Sequence, residues 1–168
     1  MTLIAGPSNE AKVAGKAKQE IVERHYIRKR WWTQLLSNSK AKSHQHISPN
    51  MRAYICVSAG YRGLEFNYLV GQNNCGCELY IDRGKDSQEE NKMIFDKLQL
   101  QESTINQKIN FPISWQRLES KRASRIRIDL EGGYKSTEDD WGAFHEKMID
   151  AMNELEAAVK PELKKLRL

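Results

Sequence analysis

A chain of 168 residues, 29% charged and 39% hydrophobic, is long enough for one domain with a real core and has an ordinary globular composition. It contains no run of about 18 apolar residues, which excludes a membrane-spanning helix, and its first residues lack the apolar block of a secretory signal. Three cysteines (Cys56, Cys75, Cys77) are an odd number, which argues against a disulfide framework and for a reducing cytoplasm, while a net charge of +5 permits a polyanionic partner without demanding one.

The opening "MTLIAGPSNEAKVAGKAK" is small, polar and glycine-bearing. It reads as a flexible basic linker or tail over 1–18, and residues 19–168 read as a single α+β domain, separable from a larger parent. "KQEIVERHYIRKRWWTQLL" places Ile21, His25, Arg28, Trp32 and Leu35 at helical spacing, with Val22, Trp31 and Leu36 widening the stripe. From Lys12 to Lys42 nine basic residues face only Glu20 and Glu23, a local charge of +7. Such a patch can neutralise phosphates, although a solvated helix face is the simpler account.

Past Pro49, "YICVS" and "LEFNYLV" alternate as strands. "GQNN" is a hairpin loop and "CGCELYID" returns, so that Asn67 falls opposite Glu78 and Glu65 opposite Tyr80. Cys75, Cys77, Leu79 and Ile81 take the apolar side, Glu78, Tyr80 and Asp82 the polar one. "KDSQEENKMIFDKLQLQESTINQKI" reads as one helix with a capping box at Ser87 and Glu90 or at Asp86 and Glu89. "ISWQRLE" and "SRIRIDLEGG" are strands, the second with Ile126, Ile128 and Leu130 inward and Arg125, Arg127 and Asp129 outward. "STEDDWGAFHEKMIDAMNELEAAV" is a long amphipathic helix, with Pro161 expected to kink or restart it. The order α-β-β-β-α-β-β-α predicts a two-layer fold, a mainly antiparallel sheet of about five strands packed against three helices.

Two kinds of chemistry compete for the polar residues. Metal-dependent phosphodiester cleavage needs converging carboxylates, and Glu65, Glu78 and Asp82 share a predicted face. No Asp paired with Glu-x-Lys on a following strand accompanies them, and acids on the wet side of a hairpin are the plainer reading. Cys75-Gly76-Cys77 has no second pair of ligands for zinc, and the histidines are dispersed. Binding without catalysis fits better. Arg28, Lys29 and Arg30 beside Trp31 interleave base and aromatic as single-strand binders do. Arg117, Lys121, Arg122, Arg125 and Arg127 form a second basic cluster that either meets phosphate or pairs with Glu65 and Glu78 across the sheet.

"RKRWWTQLL", "ISPN", "SAGYRGLEFNYLV", "CELYIDRG", "ENKMIFDKL", "WQRLESKRASRIR", "GGYKSTEDDW" and "AMNELEAAVKPELKKL" together resemble the family catalogued as domain of unknown function 4268, over roughly 20–165. The resemblance implies a module that sits C-terminal to others, including restriction-like nuclease segments. It supplies no catalytic residues. It directs attention to Glu78, Tyr80, Asp82, Arg83, Trp115, Lys121, Arg122, Arg125 and Arg127 as a shared surface. The expectation is therefore a cytoplasmic, non-catalytic accessory domain of a nucleic-acid-processing or defence-type protein, without a cofactor, acting through basic surfaces. Its expected partners are DNA or RNA, other domains of a parent protein, or a second copy of the chain. The alternatives are a protein–protein or homodimerisation module and a metal-dependent nuclease.

Overall fold

The computed structural model describes residue 6 and residues 8–168. A five-stranded antiparallel sheet in the order β1-β2-β3-β5-β4 forms one layer. Its strands are β1 (Tyr54–Ser58), β2 (Leu64–Val70), β3 (Asn74–Ile81), β4 (Ser114–Gln116) and β5 (Ser124–Glu131). The helices are α1 (Asn9–Leu36), α2 (Gln88–Gln99), α3 (Glu102–Gln107) and α4 (Glu138–Leu166), with a short 3-10 turn at Lys42–His44. The α+β architecture and the antiparallel sheet are as the strand patterns predict.

Alternation sets which side of the sheet is dry. Leu64, Phe66, Tyr68 and Val70 of β2, Cys75, Cys77, Leu79 and Ile81 of β3, and Ile126 and Ile128 of β5 are all buried. They share one face because residues two apart in a strand point the same way. α4 lies over that face and buries Trp141, Met148, Ile149, Met152, Leu155 and Val159 against it. The paired registers Asn67↔Glu78 and Glu65↔Tyr80 are those expected from a Gly71–Asn74 loop. The three cysteines are free thiols; Cys75 and Cys77 are packed in the core, where burial pushes the Cys75 thiol up to about 12.

Several local expectations give way. α1 begins at Asn9, inside the stretch read as linker, because Ser8 Oγ accepts from Ala11 N and the alanine- and lysine-rich turns that follow favour helix. The single helix read after Asp86 is two, broken between the exposed Leu100 and Gln101 with no glycine or proline to mark the place; α3 packs on α4 instead. Ser87 caps α2 without a side-chain bond to the helix backbone, since its hydroxyl donates to Gly84 O and accepts only from the Asn91 side chain. α4 runs through Pro161 to Leu166: the buried Glu162 and Leu163 hold the next turn, while Pro161 itself is exposed.

Candidate functional site

The α1 segment splits into a buried end and an arm. Every residue from Asn9 to Glu23 is exposed, whereas Trp31, Trp32 and Leu35 are fully buried. Trp32 donates from Nε1 to Arg52 O at 2.9 Å. Trp31 is wedged edge-on between Trp141 (ring centroids 5.1 Å apart) and His145 (4.4 Å). Trp31, expected to lie on a binding surface, therefore presents no face to a base. Consecutive residues on a helix sit 100° apart, and here both indoles fit under the long neighbouring side chains of α4 and the sheet end. His145 has no hydrogen-bond partner at either ring nitrogen, and burial pushes its pKa down to about 4.

The lysines of α1 and of the turns after it are exposed. Lys12, Lys16, Lys18, Lys29 and Lys42 have no carboxylate within 4.0 Å among the described residues; Arg30 pairs with Glu138 at 2.8 Å and Lys40 with Glu146 at 3.5 Å. Arg28 lies half-buried over the Tyr134 ring, 5.8 Å from its centroid. A groove lined by Ile21, Arg24, Ile27, Gln72, Tyr134 and Lys135 runs between the arm and the ends of the hairpins.

The second basic cluster is spent internally. Arg117 Nε donates to Asp96 Oδ1 at 2.8 Å, Nη2 to Asp96 Oδ2 at 3.1 Å and Nη1 to Glu119 at 2.5 Å. Arg122 holds Asp82 with two bonds of 2.7 Å. That pair keeps the Asp82 carboxyl below its ordinary value. Arg127 Nε donates to Asp129 Oδ1 at 2.8 Å and Arg125 Nε to Gln116 Oε1 at 2.6 Å. The expected cross-sheet pairing of Arg125 and Arg127 with Glu65 and Glu78 is absent, although the register puts Arg127 beside Glu78 and Arg125 beside Tyr80: nearer acceptors on β5 and β4 take the guanidiniums. Lys121 is exposed in the turn before β5.

Arg83, expected on the shared surface, and Asn91 and Lys92, to which the sequence assigned no role, hold this region together. Lys92 is 6% exposed, and its Nζ donates to Arg117 O, Leu118 O, Ala123 O and Ser124 Oγ, closing the β4–β5 connection at Leu118, whose φ is 56°. Burial lowers the Lys92 pKa. Asn91 accepts from Arg83 N and donates to Arg122 O. Arg83 pairs with Glu90 and donates to Arg62 O. "IDRG" is thus a clamp joining the β3–α2 loop to two turns. A helical lysine carries no sequence mark that it points inward.

Glu65, Glu78 and Asp82 do not assemble as a cation site. Asp82 is committed to Arg122, and among the described residues no three His, Cys, Asp or Glu side chains are placed to hold a metal. Glu78 is nonetheless unusual. On the uncovered face of the sheet it is only 3% exposed, and Asn67 beside it 5%. Asn67 Nδ2 donates to Glu78 Oε1 at 3.0 Å. Among the described residues Glu78 Oε2 and Asn67 Oδ1 have no partner. Both residues line a cavity of about 270 Å³ with Tyr54, Glu65, Leu69 and Tyr80.

The model of a family described as Domain of unknown function (DUF4268) matches residues 27–163. No curated protein and no solved structure matches the chain.

Proposed function

The chain belongs to the DUF4268 family, and on the geometry above we propose that it is a non-catalytic binding domain that docks on the phosphate backbone of nucleic acid, within a nucleic-acid-processing or defence-type protein of the reducing cytoplasm. The observation that carries this reading is the arm of α1, where Lys12, Lys16, Lys18 and Lys29 stand exposed without carboxylate partners. Lysines spread around a projecting helix neutralise phosphates without reading sequence, and the contact weakens as salt rises. Arg125 and Arg127 are a secondary contact, since each already has an intramolecular acceptor.

Fluorescence anisotropy with labelled single-stranded and duplex DNA and RNA at two salt concentrations tests this. Lys16→Glu with Lys29→Glu should weaken binding on every sequence and flatten the salt dependence by about two ions. Equal affinity for wild type and variant at low salt would sink the reading.

A second reading has its own support. Val13 is 68% exposed, Tyr26 56% and Ile21 44%, so the arm also offers apolar side chains to a neighbouring domain or a second copy of the chain. Light scattering over a wide concentration range separates self-association from a monomeric nucleic-acid binder.

A further inference from the structure

The helices cover one face of the sheet and leave the other open. Register places three rows across the middle of that open face: Tyr54, Leu69, Gly76 and Asp129; then Cys56, Asn67, Glu78, Arg127 and Ser114; then Ser58, Glu65, Tyr80, Arg125 and Gln116. Gly76 leaves its place in the first row bare, and a Cβ there would strike the Ile128 carbonyl. Asn67 and Glu78 form the floor of the cavity, with Tyr54 and Tyr80 at diagonally opposite corners. Leu69 lines both this cavity and a smaller one, of about 160 Å³, bordered by Arg127.

The two orphaned oxygens are the informative feature. A buried acceptor left without a donor costs about 1–3 kcal/mol, more for a carboxylate. Glu78 Oε2 and Asn67 Oδ1 are two such acceptors on side chains already joined to each other. They call for a ligand that presents two N–H donors next to one another. Among the nucleobases, adenine and cytosine set one amino group beside a ring acceptor, and uracil and thymine set one N–H between two carbonyls. Guanine alone offers N1–H and N2–H side by side. A guanidinium offers the same pair of donors and would meet the carboxylates of Glu65 and Glu78 in the lining, but those charges are already offset at the rim by Arg52, which lies 5.9 Å from the centroid of the Tyr54 ring, and by Arg125, which has only a neutral acceptor. A neutral base carrying an anionic phosphate suits that surround better.

We propose that the open sheet face reads guanine: N1–H is donated to Glu78 Oε2 and N2–H to Asn67 Oδ1, with Tyr80 or Tyr54 against the ring and Arg125 and Arg127 toward the attached phosphate. Aromatic side chains on an exposed sheet stack bases this way, and Watson–Crick edges are free only in unpaired nucleotides. The ligand is therefore single-stranded or a free nucleotide, and it enters as the lining side chains shift from over the two oxygens. The strand form rests on the phosphate-docking reading above. Trp32 of α1 bonds Arg52 O, two residues before Tyr54, which ties the helix to the strand that carries one wall of the cavity.

The experiment titrates the full chain with labelled single-stranded RNA and DNA octamers in a uridine or thymidine background, each carrying one central guanine, inosine, adenine or cytosine, and separately with guanosine monophosphate. Inosine deletes N2–H without touching the protein. The expected result is about tenfold or greater preference for guanine over inosine, abolished by Asn67→Ala, while Glu78→Gln and Tyr80→Ala each weaken the guanine and inosine strands together, and Lys16→Glu with Lys29→Glu weakens all strands alike and keeps the preference. Binding of guanosine monophosphate with the same Glu78 dependence but of no strand supports the site and removes the phosphate-docking function. Strand binding indifferent to the central base overturns the site and leaves docking intact. Capture of an arginine-rich peptide in place of guanine, or binding of neither nucleotide nor strand, also overturns the site.

Discussion

Two basic clusters sit in this molecule and differ in how their charges are partnered. On α1 the lysines stand on an exposed arm, whereas Arg117, Arg122, Arg125 and Arg127 are each tied to an acceptor in α2, the sheet or its loops. What separates them is the supply of partners. The arm has Glu10, Glu20 and Glu23 for company, while the β4–β5 region has Asp82, Asp96, Glu119 and Asp129 within reach. Counting charges along a chain finds both clusters; only partnering shows which has capacity left for a ligand.

The strongest test of that contrast removes the lysine that organises the second cluster. Lys92→Ala removes the charged donor from three backbone carbonyls, of which Arg117 O and Leu118 O keep Ser124 Oγ and Lys121 N, loosens the Leu118 turn, and should cost about 3 kcal/mol in urea unfolding. Binding per folded molecule should stay unchanged if the arm is the docking element; a selective loss of binding would move function to the β4–β5 side.

The anchor of the arm gives a pH signature of comparable size. His145, between Trp31 and Trp141, has a folded pKa of about 4 against roughly 6.5 when unfolded. The unfolded chain therefore binds more protons between those values. The stability it contributes is full above about pH 6.5 and falls as pH drops toward 4, by about 3 kcal/mol in all. His44, also lowered by burial, adds a slope of the same sign. Denaturant melts of wild type and His145→Phe from pH 7.5 to 4.5 should diverge, the variant losing less; parallel profiles would show that His145 does not titrate the fold.

Smaller effects sharpen the comparison further. Lys16→Glu should lower affinity for any strand about fivefold at low salt with an unchanged melting midpoint. Arg122→Gln should do the reverse: a modest fall in the midpoint, since the pair with Asp82 is half-exposed, and little change in affinity. The Asp82 part of that stability is present at neutral pH and is lost as pH falls through its lowered carboxyl value. If Arg122→Gln weakened binding more than Lys16→Glu, the roles of the two clusters would have to be exchanged.

Much of the architecture was legible beforehand because a strand half-buried under helices must alternate. Leu64-Phe66-Tyr68-Val70 and Ile126-Ile128 could only face the core, and that choice sent Glu65, Glu78, Arg125 and Arg127 to the open side. Register followed from the short Gly71–Asn74 loop. The candidate site was legible only as a list of polar residues on one face. That Glu78 and Asn67 sink to near-complete burial there, that Lys92 turns inward, that Trp31 is core, and that the arginines choose Asp82, Asp96, Asp129 and Gln116 depend on which long side chains lie over which neighbours. Periodicity carries direction, so the residues alone determined the layers and the faces. Partnership depends on distances between segments far apart in the chain, and only the tertiary structure decided it.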